Sequence, residues 1–187
     1  CLDGTASKVI DVSLTGSNDN ASISGTATGS VTEDGTLTAN GNLTVTDVDS
    51  GQSLFQTPAS LAGTYGTFTF NANTGAWGYT ATNSAIQFLA AGKQVFDTLM
   101  VTSADGTATQ NIQVTINGSN DLPSGADASF TINEDGSKTF SASDFGFSDI
   151  DTGDSLSAVR IDSLPTDGLL TLGGTQVTAG QEISSAQ

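Results

Sequence analysis

The chain has no histidine, a single cysteine (Cys1) and only 4 lysine and arginine residues among 187. Each shortage closes a class of chemistry. Without histidine and with one thiol, ordinary zinc sites and Cys/His or Ser/His catalysis are excluded within the chain. One cysteine makes no internal disulfide. Four cationic side chains cannot neutralise a run of phosphates, which argues against nucleic acid and against an anionic membrane surface. No membrane-spanning apolar run and no signal-peptide-like segment occurs. Helix formers such as Leu, Glu, Lys and Arg are scarce.

Gly, Ser and Thr are abundant, and 20 acidic residues bring the net charge to −16. This composition predicts many short strands joined by polar turns, an all-β protein. Divalent cations are the natural counter-charge.

Asp47-Val48-Asp49-Ser50-Gly51 recurs 102 residues on as Asp149-Ile150-Asp151-Thr152-Gly153. Carboxylates at i and i+2 followed by glycine suit a tight loop around a hard cation. Ca²⁺ takes six to eight oxygens at roughly 2.3–2.6 Å, so alternate Asp side chains of an extended loop can converge on it. The plainer reading is an Asp-rich solvated turn. An EF-hand is excluded, since the glycine follows the second Asp too soon and position twelve holds no Glu.

The repeat extends well beyond that loop. Asp3-Gly4-Thr5 through Gly16-Ser17-Asn18-Asp19 matches Asp105-Gly106-Thr107 through Gly118-Ser119-Asn120-Asp121 at the same offset, and Ser53-Leu54 matches Ser155-Leu156. Glu33-Asp34-Gly35 returns 101 residues later as Glu134-Asp135-Gly136. Several independent matches at one spacing define a repeat array, and a period near 100 residues is the size of a β-sandwich domain. The boundaries follow. Residues 1–17 are the terminal strand of a preceding module, 18–119 a complete module and 120–187 an incomplete one. The chain reads as a window cut from a longer array, or as a self-assembling subunit.

Within the complete module, Leu37, Leu43 and Val45 share parity, predicting a strand over 36–46 that delivers the Asp47/Asp49 loop; Asn40-Gly41 is a candidate kink. Phe68 and Phe70, then Trp77 and Tyr79, alternate about Asn73-Thr74-Gly75 and predict a hairpin. Those aromatics fit either inward core packing or a sugar platform. Asn83 to Gly92 carries the one helical signal, with Ile86 and Leu89 three apart. Leu99 and Val101 mark the next strand, and Ile112, Val114 and Ile116 the last. Ile10, Val12 and Leu14 repeat that last pattern, so residues 8–15 also read as a strand.

The series Asn18-Asp19-Asn20, Glu33-Asp34-Gly35, Asp47 to Gly51, Thr74-Gly75-Ala76-Trp77, Ser103 to Thr107 and Gly118 to Asp121 resembles the VCBS repeat of giant bacterial surface adhesins, often of the RTX group. The resemblance covers residues 1–121; residues 122–187 resemble a related cadherin-like module. It implies tandem Ig/cadherin-like β-sandwich modules, one complete and one incomplete, whose junctions calcium stiffens. Carried over, one ligand cluster is Asn18, Asp19, Asn20, Asp47, Asp49 and Asp105. A second is Glu33, Asn120, Asp121, Asp149 and Asp151. Glu134 and Asp3 would serve junctions with further modules. Asp34, Asp135 and Asp154 are further candidates, each beside a glycine, where an Asp is often only a turn former. The Asp-Arg-Glu motif of cadherins has no counterpart near Leu89 to Lys93.

The resemblance implies a structural segment of an extracellular or cell-surface fibre used in adhesion and biofilm. Its partners are neighbouring modules or other copies, without membrane insertion. The alternative is a calcium-dependent glycan-binding module using Trp77, Tyr79 and Tyr65. Glycoside hydrolysis would need carboxylates facing across a cleft, about 5–9.5 Å apart, and repetition of the Asp pair favours metal binding, so no enzyme is expected. A Lys–Asn isopeptide bond would use Lys8, Lys93 or Lys138, none of which sits at an inward apolar position.

Overall fold

The computed structural model describes residue 4 and residues 8–185. Two sheets form the first module. One has the order β1–β3–β5–β4, from β1 (Ser22–Gly25), β3 (Thr38–Thr46), β4 (Gly66–Phe70) and β5 (Ala76–Ala81). The other has the order β2–β7–β6, from β2 (Thr28–Thr32), β6 (Gln94–Thr102) and β7 (Thr109–Asn117). All neighbours are antiparallel except β2 and β7, which run parallel from Thr28 opposite Gln113 to Thr32 opposite Asn117. The chain is all-β.

Period-two alternation explains the layering, because successive side chains of a strand point to opposite faces. On β7, Ile112, Val114 and Ile116 are fully buried while Asn111 and Gln113 face out. Leu99 and Val101 of β6, Leu43 and Val45 of β3, and Phe68, Trp77 and Tyr79 of the hairpin meet them in one core. The predicted hairpin forms with Phe68 opposite Tyr79 and Phe70 opposite Trp77. Their rings point inward: Trp77 is 3% exposed and its indole N–H donates to Thr26 O at 2.7 Å. Asn40-Gly41 does not kink β3. Gly41 lies under the indole, where a Cβ would come within 2.7 Å of Trp77 ring atoms. Gly75 turns the hairpin at φ +71°, against Leu43 O.

Two local expectations are corrected. Asn83 to Gly92 is no α-helix; only a 3₁₀ turn forms at Asn83–Ala85, and Ile86 and Leu89 plug the core from the loop that follows. Asn83 is engaged with Asp34 instead of capping a helix. Residues 8–15 form no strand and lie exposed, because nothing among the described residues pairs with them.

Beyond residue 118 the packing changes. A 3₁₀ turn at Ala142–Phe145 has a capping box between Ser141 and Asp144. Strand β8 (Ala158–Ile161) pairs with β11 (Gln181–Ser184), and β9 (Thr171–Leu172) with β10 (Thr175–Gln176). Phe130 and Phe140 meet edge to face with 5.4 Å between centroids, and the Lys138 ammonium lies 4.6 Å from the Phe130 ring. Lys138 pairs with Asp144 at 3.0 Å. Val177 is the one fully buried apolar side chain among the described residues of this region, and no second core assembles there.

Candidate metal centre

The strands carry acidic residues to both ends of the first module. Strand β7, nine residues long at about 3.3 Å per residue, sets the ends roughly 30 Å apart.

At one end, β1 begins at Ser22 beside Thr46, the last residue of β3, so the linker before β1 runs along the Asp47–Gly51 loop. Asp19 N–H donates to Asp49 Oδ2 at 2.8 Å, and Asp49 N–H to Asp47 Oδ1 at 2.8 Å. Asn18 Nδ2 donates to Asp105 Oδ2 at 3.2 Å. The hydroxyls of Ser103 and then Thr107 hold the Asp105 carboxyl well below the usual carboxylate range. Asn20 is exposed and makes no hydrogen bond into this cluster.

At the other end, β2 stops beside the end of β7, and Glu33 N–H donates to Asn117 O at 2.9 Å. Glu33 is 1% exposed. Its Oε1 accepts from Gln87 Nε2 at 3.1 Å and its Oε2 from Ser119 N–H at 3.1 Å. Asp34, at φ 51°, accepts from Asn83 Nδ2 at 2.6 Å and Gln87 Nε2 at 3.0 Å. The second Asp-x-Asp loop closes on this end. Asp121 N–H donates to Asp151 Oδ2 at 2.9 Å, Asp151 N–H to Asp149 Oδ1 at 3.0 Å, and Thr152 N–H to Phe88 O at 2.9 Å. Asn120 Nδ2 donates to Asp121 O.

Charge converges here without compensation. The ion pairs among the described residues, Lys138–Asp144 and Arg160–Asp162, lie outside this junction. Burial first, then the negative charges of Asp121, Asp34 and Asp151, pushes the Glu33 carboxyl up, partly offset by the Ser119 N–H. Burial and the charges of Asp34, Asp151 and Asp149 push Asp121 up as well. Asp121 Oδ2 and Asp151 Oδ1 are buried and have no hydrogen-bond partner. Leaving a carboxylate oxygen so placed is costly unless a donor or cation meets it. Carboxylate oxygens of Asp149, Asp151 and Asp154 lie within 4.8 Å of one another. The donor set is oxygen throughout, which suits a hard cation such as Ca²⁺ or Mg²⁺ and not zinc.

Residues 18–118, just over half the chain, match the family described as the bacterial cadherin-like domain. The chain belongs to that family. A comparison with curated proteins returned no match. The bacterial cadherin-like domain is a structural and adhesion-type repeat module, and the acidic clusters lie at its two ends.

Of the residues singled out from sequence, Asn18, Asp19, Asp47, Asp49 and Asp105 come together at one end of the cadherin-like module. Glu33, Asn120, Asp121, Asp149 and Asp151 come together at the other. Glu134 is exposed in a turn and joins neither. Asp3 lies outside the described residues. Asp34, Asp135 and Asp154 stand between ligand and turn former in the sequence; Asp34 forms its turn at positive φ and still sends its carboxylate to the junction, and Asp154 lies beside Asp149 and Asp151. Sequence reasoning missed Asn83 and Gln87, which lie in the segment read as a helix. Another residue missed from the sequence, Asp97, sits at an inward position of β6, where Leu99 and Val101 set the parity. It is 3% exposed and accepts from Thr64 N–H at 2.8 Å, Tyr65 N–H at 2.9 Å and Tyr79 O–H at 2.7 Å. Burial, followed by this carboxylate, pushes the Tyr79 phenol above its usual range. A charged residue at inward parity was the available signal.

Proposed function

We propose that the chain is a calcium-stiffened structural segment of an extracellular bacterial adhesin or surface fibre, acting in adhesion and biofilm through its repeats. The observation that carries this reading is the junction of Glu33, Asp121, Asp149 and Asp151. Its orphaned Asp151 Oδ1 and Asp121 Oδ2 converge, with no cationic side chain, on the place where two stretches of chain meet. Glu33, Asp34, Asp121, Asp149, Asp151 and Asp154 would hold the ion. When bound, Ca²⁺ supplies charge neutralisation and a multidentate link between the two segments. The protein's own part is to fix the loop: Asp151 N–H orients Asp149, and Asp121 N–H orients Asp151.

The same reading makes residues 18–119 one module, 120–187 part of another and 1–17 the end of a preceding one. The order of acidic motifs and the offset of 102 residues support a VCBS-type repeat of RTX-type proteins within the cadherin-like family. The role is mechanical, not enzymatic. Partners are then adjoining modules or other copies. No helix of the described residues is long and apolar enough to cross a membrane. The glycan-binding alternative loses two of its three aromatics, because Trp77 and Tyr79 are buried in the core at 3% and 2% exposure, while Tyr65 is half-buried against Phe88.

Small-angle scattering in millimolar Ca²⁺ and in excess EDTA tests the proposal. An extended particle that becomes more flexible with EDTA is expected. Identical profiles in both conditions would refute calcium stiffening.

A further inference from the structure

The outer faces of the first module's two sheets carry no charged side chain, in a chain of net charge −16. The module's acidic residues gather at its ends, apart from the inward Asp97, and Lys93 lies in the turn before β6. The two faces differ in what stands in place of charge. That of β1–β3–β5–β4 presents Ser, Thr and Asn, with Ala76 and Gly78. That of β2–β7–β6 adds Phe96 and Met100, 50% and 62% exposed. These two are the large apolar side chains that the module's strands expose; Val48, Leu54 and Phe88 lie in loops.

Phe96 and Met100 stand on one face of β6, four residues and roughly 13 Å apart. The register ranks uncharged hydrogen-bonding groups beside them. Phe96 lies opposite Thr115, Thr98 opposite Gln113 and Met100 opposite Asn111. The Asn111 and Gln113 side-chain amides face solvent and have no partner among the described residues. In the next rank Gln94 Nε2 donates to Asn117 Oδ1 at 2.7 Å, which closes the track at the Glu33 end. At the opposite end, beside Met100, a cleft of about 210 Å³ opens between Thr102 and the loop of Gln56, Pro58 and Ala59.

Size and charge choose the occupant. Three strands about 4.8 Å apart and up to nine residues long offer at most roughly 400 Å². A standard protein interface covers about 800 Å² per partner, so the face is too small for a second copy or another folded protein. A long, narrow ligand fits it. The lack of charge on the face suits a neutral ligand, and the acidic remainder of the chain repels polyanions. The ring and thioether offer apolar contact, and the amides and hydroxyls offer donors and acceptors. Together they match a chain of sugar rings, with C–H faces and hydroxyl edges.

We infer that the outer face of β2–β7–β6 binds a neutral polysaccharide, laid along β6 from the cleft beside Pro58 to Phe96. Phe96 stacks on a sugar ring, Met100 packs at the mouth of the cleft, and Asn111 and Gln113 take the hydroxyls. The site is separate from Trp77 and Tyr79, whose rings are in the core, and from both acidic ends, so it does not rest on the calcium reading.

Native gel electrophoresis of the 187-residue chain through hydroxyethylcellulose, galactomannan, dextran and alginate tests it. All gels contain EDTA, so that no cation bridges protein and carbohydrate. At least one of the three neutral polymers should retard the parent, and the polyanion alginate should not. Phe96→Ala should run as in a plain gel, and Phe96→Trp should keep the retardation. Thr44→Ala, on the outer face of the other sheet, should be retarded like the parent. Phe96 is half exposed, and an unchanged Tm in each variant checks that the fold is kept. A parent that no neutral polymer retards, retardation that survives Phe96→Ala, or equal retardation by alginate would overturn the inference. So would self-association of the parent that Phe96→Ala abolishes, which would give the face to a second copy.

Discussion

Asp97 and Asp151 are both 3% exposed, and neither has a cationic partner. They differ in what surrounds them. Inside the first module, the Asp97 carboxylate accepts two backbone N–H groups and a phenol. At the junction, Asp151 accepts one N–H on Oδ2, while Oδ1 meets no donor and the neighbouring groups are Glu33, Asp121 and Asp149. The first site is complete as protein. The second leaves Asp151 Oδ1 without a donor, and the proposed cation would meet it. Burial of a carboxylate alone therefore does not signal a metal; the count of donors does.

The largest effect should come from breaking the completed site. Asp97→Ala orphans two N–H groups of the loop before β4 and the Tyr79 hydroxyl. It should cost on the order of 3 kcal/mol, a Tm drop of more than about 10 °C, equally with and without calcium. Thermal unfolding in both conditions checks it.

The junction should behave in the opposite way. Asp151→Asn removes charge from a crowded site, so in EDTA its stability should equal or exceed that of the parent. In calcium at 100 times the parent's Kd, it should lack the parent's gain of about 2.7 kcal/mol per site. Denaturant titrations of both chains measure the difference.

The pH dependence without calcium sharpens the contrast further. Glu33 has its carboxyl raised above 4.5 by burial and by its acidic neighbours. Between the unfolded value and the raised one, the folded chain binds more protons. The Glu33 contribution to stability in EDTA should thus be fully present below about pH 4.5 and be lost as pH climbs through the window above it, opposite in sign to the Asp105 contribution, and calcium should flatten that slope. Melting curves across the acidic range read it directly.

Much of this was legible in the chain because the repeat states it twice. The Asp-x-Asp loops show the same bonds, Asp19 to Asp49 at 2.8 Å and Asp121 to Asp151 at 2.9 Å. Strand parity placed Leu43, Val45, Ile112, Val114 and Ile116 in the core. The rest depended on tertiary context. The 83–92 stretch has helical spacing, yet Ile86 and Leu89 are drawn into the core from a loop, and Asn83 and Gln87 are left to face Asp34 and Glu33. Residues 8–15 have the alternation of β7 but no neighbouring strand, and alternation without a partner does not make a strand. The 1%-exposed Glu33 shows how one end of a module changes the loop that lands on it, which periodicity cannot report.

The smallest effects come from the first Asp-x-Asp loop. It has the same framework, and Asp47 Oδ2 is likewise buried without a partner, but no Glu33 equivalent packs against it, and Asp105 is already satisfied by hydroxyls. Asp49→Ala should reduce the calcium-dependent gain less than Asp151→Ala does. Asp11→Ala, on the exposed segment outside both clusters, should change neither calcium affinity nor Tm.

The central claim, that the junction is completed by a divalent cation, is tested most directly by calorimetric titration of calcium into the metal-free chain and into Asp151→Asn. The account predicts heat and saturable binding in the parent, with the tightest component lost in the variant and magnesium a poor substitute. The same calcium isotherm for both chains, or none for the parent, would contradict it.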